Sequence, residues 1–503
     1  MMETITLLLQ GFVQCFTLER MLACAGGVLV GTLTGVLPGI GVTGAMALLL
    51  PISFGMDATS ALILFAGIYY GAMYGGSTTS ILVNLPGEAA SVVTCLDGNA
   101  MAKKGRAGAA LAISAWGSFI AGTIGIVALT FTADKIADLA LSFRSPEYFA
   151  VCVLGLIILT NLTGKNALKS ALMVLFGLVL GTIGMDDVFG VSRFDFGNMY
   201  LSRGLEFGVV AMAVFGINEL LGAMLEPSED TAPMQKVSLK DLYPNRQEWK
   251  RSVGPILRAS VLGFVIGLMP GPAGTLASFS SYAMEKKISK HPEEFGKGAV
   301  EGVAGPEAAN NAASSAAFVP LLSLGLPFAP PAALLLTAFI THGITPGPTL
   351  FTQHADVFWG LLASMYIGNV FLLIINLPMV GVFASLLKCP AKILMPIVMV
   401  ITFTGAFATN GTSFDILILI ILGVLAYIIS KFGYSMAPLA VGICISSTLE
   451  QRFQQTMIAL RGNFANITKY PITCVLLGLA VLLVLSSALS KTMKTVLKNS
   501  KED

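Results

Sequence analysis

Apolar stretches long enough to cross a bilayer follow one another along almost the whole of this 503-residue chain. They run at about 21–50, 59–83, 107–131, 148–183 (a pair interrupted at 161–166), 206–225 and 254–284, then at about 303–350, 357–387, 391–430, 434–449 and 472–490. At roughly 20 residues per span, and with several runs too long for one helix, they predict about twelve membrane helices. A segment in hydrocarbon has to satisfy its own backbone hydrogen bonds, so the expected fold is all-α, polytopic and surrounded by lipid bilayer. Composition agrees. Charged residues make up 12% of the chain, against about 25% in an ordinary soluble domain, and mean hydropathy is +0.80. These values exclude a water-soluble enzyme. A net charge of +2 without any long basic face excludes nucleic acid as a partner.

The polar connection 226–258 divides the chain into an N-terminal membrane repeat (1–225) and a C-terminal one (259–490), with 491–503 as a tail. Basic residues cluster in that linker (Lys236, Lys240, Arg246, Lys250, Arg251, Arg258), in 97–108 (Lys103, Lys104, Arg106), in 285–297 (Lys286, Lys287, Lys290, Lys297) and in the tail. By the positive-inside rule all four face the cytoplasm, while 184–204, with Asp186, Asp187 and Asp195, faces outward. The N-terminus carries Glu3 where a signal peptide has Lys or Arg, so it reads as an uncleaved first helix or interfacial segment.

An internal repeat is visible. GTLTGVLPGIG at 31–41 matches GFVIGLMPGPA at 263–273, with Gly31, Gly35, Pro38 and Gly39 answering to Gly263, Gly267, Pro270 and Gly271. Each copy is followed by a stretch rich in small polar residues, Gly75–Ser80 and Asn310–Ser315, and then by a Leu-Pro step at Leu85-Pro86 and Leu326-Pro327. The first PG segment runs into a stretch without basic residues and the second into EKKISKHPEEFGKG, so the two repeats are expected to be inverted. Each PG element is either a broken spanning helix or a re-entrant hairpin. Basic segments on both sides of 259–284 favour the hairpin there.

In GxxxGxxPG the glycines permit close helix approach, and Pro removes an amide donor next to a Gly that tolerates positive φ. A break at membrane depth is tolerated only where freed backbone groups line a cavity or bind a ligand. Half-helix N-termini present N–H groups and a positive dipole end to an anion, and freed carbonyls hold cations. Pro38, Gly39, Gly41, Pro270, Gly271 and Gly274 are therefore candidate substrate ligands through their backbone, with Na⁺ near Gly39 and Gly271 the corresponding cation reading. Ser77, Thr78, Thr79, Ser80, Asn84, Asn310 and Asn311 are the candidate side-chain ligands. Glu88 and Glu307, ionisable groups in apolar surroundings, are the candidates for ion coupling, and both also fit a plainer role capping a helix N-terminus after Gly87 or Pro306.

Other features read plainly. The seven cysteines show no CxxC and the three histidines no ligand spacing, so no zinc or haem site, and no cofactor, is expected. His342 reads as a hydrogen-bonded structural residue, and Asp415 and the Glu450/Arg452 pair as helix-end charges. No GxSxG, HExxH or GxGD motif supports an intramembrane hydrolase, and no P-loop supports ATP use.

PGIGVTGAMALLLP (38–51), YGGSTTSILVNLPGEAASVVTCLDGNAMAKKGRAGAAL (74–111), GPEAANN (305–311) and the LPxAPP step (326–331) resemble the large membrane subunit of the tripartite tricarboxylate transporters, the TctA-like family. The likeness runs over roughly 15–450. It implies a multi-pass permease of the bacterial inner membrane that imports a tricarboxylate or other organic carboxylate on a Na⁺ or H⁺ gradient. Alternating access would be of elevator type. The implied partners are a small four-helix TctB-like membrane subunit and a periplasmic TctC-like solute-binding protein. A self-sufficient organic-anion carrier or channel is the alternative. Pro272 beside Gly271, and Phe328-Ala329-Pro330-Pro331 where a small pair is expected, depart from the family pattern and place citrate itself in doubt as the substrate.

Overall fold

The computed structural model describes residues 2–36, 41–84, 86–162, 166–186, 188–225, 242–379, 382 and 391–499. Pro38, Gly39, Asp187, most of the linker and Cys389 lie outside the described residues. The expectation of an all-α chain holds: apart from one antiparallel ribbon, β1 (Gly184–Met185) with β2 (Ser192–Arg193), the ordered elements are helices. In chain order these are α1 (Met2–Cys15), α2 (Leu18–Val36), α3 (Val42–Ser53), α4 (Ala58–Val83), α5 (Val92–Met101) and α6 (Ala107–Leu141). There follow α7 (Ser145–Leu162), α8 (Ala167–Gly181), α9 (Phe207–Ala211), α10 (Arg246–Gly267), α11 (Ala273–Ile288) and α12 (Glu301–Ala316). The series closes with α13 (Phe318–Leu324), α14 (Pro330–Thr341), α15 (Ala355–Asn376), α16 (Ala391–Asn410), α17 (Ser413–Lys431), α18 (Met436–Ala459) and α19 (Pro471–Asn499).

Among the described residues four helical runs are long and apolar enough to cross a membrane: Ala58–Val83, Ala89–Asp138, Ala355–Asn376 and Ser413–Lys431. A fifth is counted if α1 and α2, which meet at 91°, form one span. Full-length spans among the described residues do not by themselves reach the expected count of about twelve. Several apolar runs form shorter helices, such as α3, α8 and α14, and α12 carries too many polar groups to face lipid, all of them buried in protein. Within the polar connection 226–258, α10 begins at Arg246 with a capping box between Asn245 and Glu248.

Two compact units form, each discontinuous in sequence. The larger comprises Met1–Asp138, Glu206–Leu268 and Ala273–Ile429; the smaller comprises Leu139–Leu205, Met269–Pro272 and Ser430–Asp503.

The larger unit is organised by two glycine-packed helix pairs. A methyl group on Gly31 or Gly35 of α2 would lie 2.5 or 2.3 Å from the backbone oxygens of Ile68 and Ala72 on α4. On Gly263 or Gly267 of α10 it would lie 2.2 or 2.4 Å from those of Ala309 and Ala313 on α12. No side chain fits there, so backbones touch directly. Gly31 to Gly263 and Gly35 to Gly267 are both 232 residues apart; Ile68 to Ala309 and Ala72 to Ala313 are both 241. The second spacing also carries Asn84, left-handed at φ 58° after α4, onto Gly325, left-handed at φ 70° after α13. Each left-handed residue immediately precedes a Leu-Pro step. This packing register aligns Tyr69–Tyr74, rather than Gly75–Ser80, with Asn310–Ser315.

Between α10 and α11 the chain reverses. Arg258 and Glu285 form an ion pair across the two helices, and Arg251 pairs with Glu294 in the loop beyond α11, so the turn lies near Gly271, whose φ is 130°. The second PG element is thus a helical hairpin. At the base of this hairpin the basic segments come together: Arg106 pairs with Glu248, Arg251 with Glu301, and Lys104 Nζ donates to the Lys297 carbonyl. That arrangement requires 97–108, 246–258 and 285–297 to lie on one side.

In the smaller unit α8 packs on α18 by the same device. A methyl group on Gly177 would lie 2.2 Å from the Leu439 oxygen. Arg193 of β2 binds Glu450 through both guanidinium arms and stands 3.6 Å from Asp186. Glu450 is therefore paired with Arg193 rather than with Arg452, which lies over the Tyr148 ring.

Candidate functional site

The side chain of Asp57 accepts from Thr59 and Ser60 N–H and so starts α4, which carries Gly67, Gly71 and Gly75 toward α2. Asn84, exposed and left-handed, ends the helix, and Pro86 prevents its continuation. Gly87 then fits where no other residue does: a methyl group there would lie 1.9 Å from the Gly35 oxygen. The chain folds back on Gly76, and α5 begins at Val92.

This turn brings the polar residues of two helices to one carboxylate. Glu307 of α12 is wholly buried. The Ser77 hydroxyl donates to its Oε2 and the Thr94 hydroxyl to its Oε1, while Asn310 Nδ2 reaches Oε2 at 3.4 Å. Ser114 of α6 contributes a further side-chain hydrogen bond. Asn311 Nδ2 bridges the Glu307 carbonyl at 3.0 Å, Ser118 Oγ at 2.8 Å and Asn310 Oδ1 at 2.6 Å. No Lys or Arg pairs with Glu307 among the described residues. A buried carboxylate without a counter-ion is costly unless hydrogen-bonded throughout, which is what these hydroxyl and amide groups achieve.

A small cavity adjoins this network, lined by Tyr74, Ser77, Thr78, Leu111, Ser114, Ala115 and Asn376. Its volume of about 10 Å³ corresponds to roughly one water molecule. A di- or tricarboxylate does not fit in that space, and the Glu307 carboxylate would repel one. The cavity beside the network is water-sized and the network itself carries one carboxylate.

The other predicted residues divide in two. Thr79 and Ser80 hydroxyls return to the Gly76 carbonyl at 3.1 and 2.9 Å, and Ser80 also meets Ser91, so both satisfy backbone within their own turn. Asn84 is an exposed helix cap. Gly41 (φ 62°) precedes α3, and the N–H of Val42, the first residue of α3, donates to the Glu88 carboxyl, whose Oε1 is buried without another partner. Glu88 is thus the N-cap of the 3-10 turn Ala89–Ser91 that follows it, its N–H donating to Ser91 Oγ at 3.3 Å, and its carboxyl also meets the N-terminus of α3. Two residues on, Ala90 lies beside Gly274 at the start of α11, and Asn310 borders the same glycine. The half-helices that follow the two PG elements therefore begin at the same short segment, 88–90. Pro270 and Gly271 are buried at the hairpin turn.

Thr94, Ser114 and Ser118 were not among the residues read from the sequence. Ser114 and Ser118 stand one helical turn apart in the apolar first half of α6, and that spacing is the signal that was available. Thr94 had no such mark. His342 bridges the carbonyls of Ala338 (2.9 Å) and Ser53 (3.0 Å), in keeping with a structural role, and Thr412 donates to Asp415 in the first turn of α17. Phe328 is buried and does not line the cavity.

An all-helical, multi-pass membrane protein with a water-sized polar site in its core is the class these features define. The sequence profile of the tripartite tricarboxylate transporter TctA family matches residues 21–441, and the chain belongs to that family, a family of transporters rather than enzymes. It is similar to an uncharacterized 52.8 kDa protein in the TAR-I ttuC' 3' region of Agrobacterium vitis, 45% identical over 498 residues, 98% of this chain and 99% of the relative. It is also similar to an uncharacterized protein in the TAR-II ttuC' 3' region of the same organism, 43% identical over 227 residues, 45% of this chain and 94% of the relative. No solved structure matches the chain.

Proposed function

We propose that this chain is the large permease subunit of a binding-protein-dependent secondary transporter of the bacterial inner membrane, importing a tricarboxylate or other organic carboxylate on a Na⁺ or proton gradient. The observation that carries the reading is the Glu307 network: a buried carboxylate, ringed by hydroxyls, beside a water-sized cavity. Glu307 carries the coupling ion, with Ser77, Thr94 and Asn310 as its ligands. Ser77, first read as a substrate ligand, belongs on this account to the ion. The carboxylate substrate is held by the backbone of the two PG elements, at Pro38 to Gly41 and Pro270 to Gly274, whose half-helix N-termini offer N–H groups and positive dipole ends. Glu88, which now occupies one of these ends, gives way to the substrate carboxylate.

Two inverted repeats totalling about twelve spans, moving as an elevator, complete the reading; the paired spacings of 232 and 241 residues support duplication. Partners are a small TctB-like membrane subunit and a TctC-like periplasmic binding protein. The test is uptake of labelled di- and tricarboxylates by cells expressing all three components under imposed Na⁺ or proton gradients. Glu307→Gln is expected to abolish gradient-driven uptake while leaving folding intact, and unaltered uptake removes Glu307 from the coupling role. Substantial flux through this chain reconstituted alone overturns the need for partners and leaves a self-sufficient carrier.

A further inference from the structure

Asp97 takes no part in that reading, yet it is wholly buried and forms no ion pair among the described residues. Its Oδ1 accepts the backbone N–H groups of Gly296 (2.9 Å), Gly298 (2.7 Å) and Ala299 (2.8 Å), and its Oδ2 accepts the Tyr282 hydroxyl (2.9 Å). Four donors leave neither carboxylate oxygen unsatisfied. The loop is shaped for this contact: Gly296 and Gly298 have φ of 81° and 104°, which turns successive N–H groups to one side. The fit is close, since a methyl group on Gly302 would lie 2.2 Å from Asp97 Oδ2.

The position of this clamp gives it meaning. Thr94 and Asp97 are one turn apart on α5 and face the same way. Thr94 meets Glu307; Asp97 meets the loop that enters α12 at Glu301, six residues before Glu307. Helix α5 is therefore fixed to α12 and its lead-in at two points, and the Asp97 point lies nearer the basic face formed by Lys104, Lys297 and the base of the hairpin.

We propose that Asp97 is a positioning residue, a latch that holds α5 against the lead-in to α12 and thereby sets the Thr94 hydroxyl on Glu307. Release of the latch opens the Glu307 network toward the basic face; this last step rests on the transport reading, whereas the latch rests on its contacts alone.

Cys95, half-buried between the two contact residues, is a built-in reporter. The test uses the full-length chain with its other six cysteines replaced by serine, purified in detergent, and follows alkylation of Cys95 by N-ethylmaleimide. Asp97→Ala should accelerate labelling about tenfold, as expected when a multiply bonded carboxylate is lost from a local contact. Asp97→Asn keeps an acceptor for the three N–H groups and should stay within about threefold of the parent. If Asp97→Ala does not fold, Tyr282→Phe, which removes one donor, should give a smaller acceleration of about threefold. Parent-like labelling in the Ala variant, or in the Phe variant where it stands in, overturns the latch. So does an equal acceleration at a lone Cys152 on α7, which would signify general loosening. Glu307→Gln separates the two proposals: normal uptake by that variant alongside accelerated Cys95 labelling in Asp97→Ala ends the coupling role and leaves the latch standing.

Discussion

The two glycine-packed pairs, α2 with α4 and α10 with α12, use the same contact for different ends. In both, a Gly at every fourth position lets one helix backbone rest on the carbonyls of the other. The first pair is joined where α4 begins by Arg20 of α2 and the capping Asp57, 3.6 Å apart, and leads to the turn at Gly87. The second pair is tied by Arg251–Glu301, with Arg258–Glu285 holding α10 to the neighbouring α11, and carries Glu307 at its centre. Close backbone packing is thus the common frame, and the buried carboxylate carried by the second pair is what distinguishes the two. Small residues at the interface fix the distance between helices but leave the outward faces free to vary.

The largest effect that sharpens this comparison is steric. Gly35→Leu and Gly267→Leu should each abolish recovery of folded protein, judged by size-exclusion profile in detergent, because the added side chain meets backbone in either pair. Tolerance in one pair alone would break the equivalence. Next is the ion pair that ties α10 to α11 across the hairpin. Arg258→Ala leaves Glu285 buried and unpaired, and since the arginine is 43% exposed we expect about 1–3 kcal/mol of lost stability rather than the full cost of a buried pair. Adding Glu285→Gln should recover much of it in thermal melts.

The left-handed caps give a smaller contrast. Asn84→Gly should change stability by less than about 1 kcal/mol, because glycine adopts positive φ freely. Gly325→Asn should cost about 1–3 kcal/mol, since its Cβ would lie 2.7 Å from the Pro346 oxygen. Equal costs at both caps would show that the backbone, rather than its surroundings, sets the choice. The smallest effect is pH dependence at the hairpin base, where the hydrogen bond from Arg251 holds the Glu294 carboxyl below its ordinary 4.5. A depressed value stabilises the folded state above the ordinary carboxylate range, and the contribution is lost as pH falls through the folded value. Limited proteolysis of loop 289–300 should therefore accelerate below about pH 4.5, and Arg251→Ala should flatten that profile.

Much of this was legible in the residues. Apolar runs announced helices, and the PG elements announced breaks, because proline and glycine act locally. Basic clusters announced which connections share a side. Glu307 was legible as a buried carboxylate from its apolar neighbourhood. Its partners Thr94, Ser114 and Ser118 were not, since hydroxyls in apolar helices usually return to their own backbone, as Thr79 and Ser80 do. Span number was not legible in the same way, because hydropathy does not distinguish a lipid-facing helix from one buried among others.

By itself the sequence determined an all-helical membrane chain, its duplicated glycine and Pro-Gly elements, and its family, because helix length, backbone freedom and desolvation are set by residues close together. Only the tertiary structure decided that Ser77 and Thr94 converge on Glu307, that Asp97 holds a loop about 200 residues away, and that the two half-helices begin at 88–90. These depend on which backbones approach closely enough to touch, a choice made by packing across the whole unit and not by any local segment.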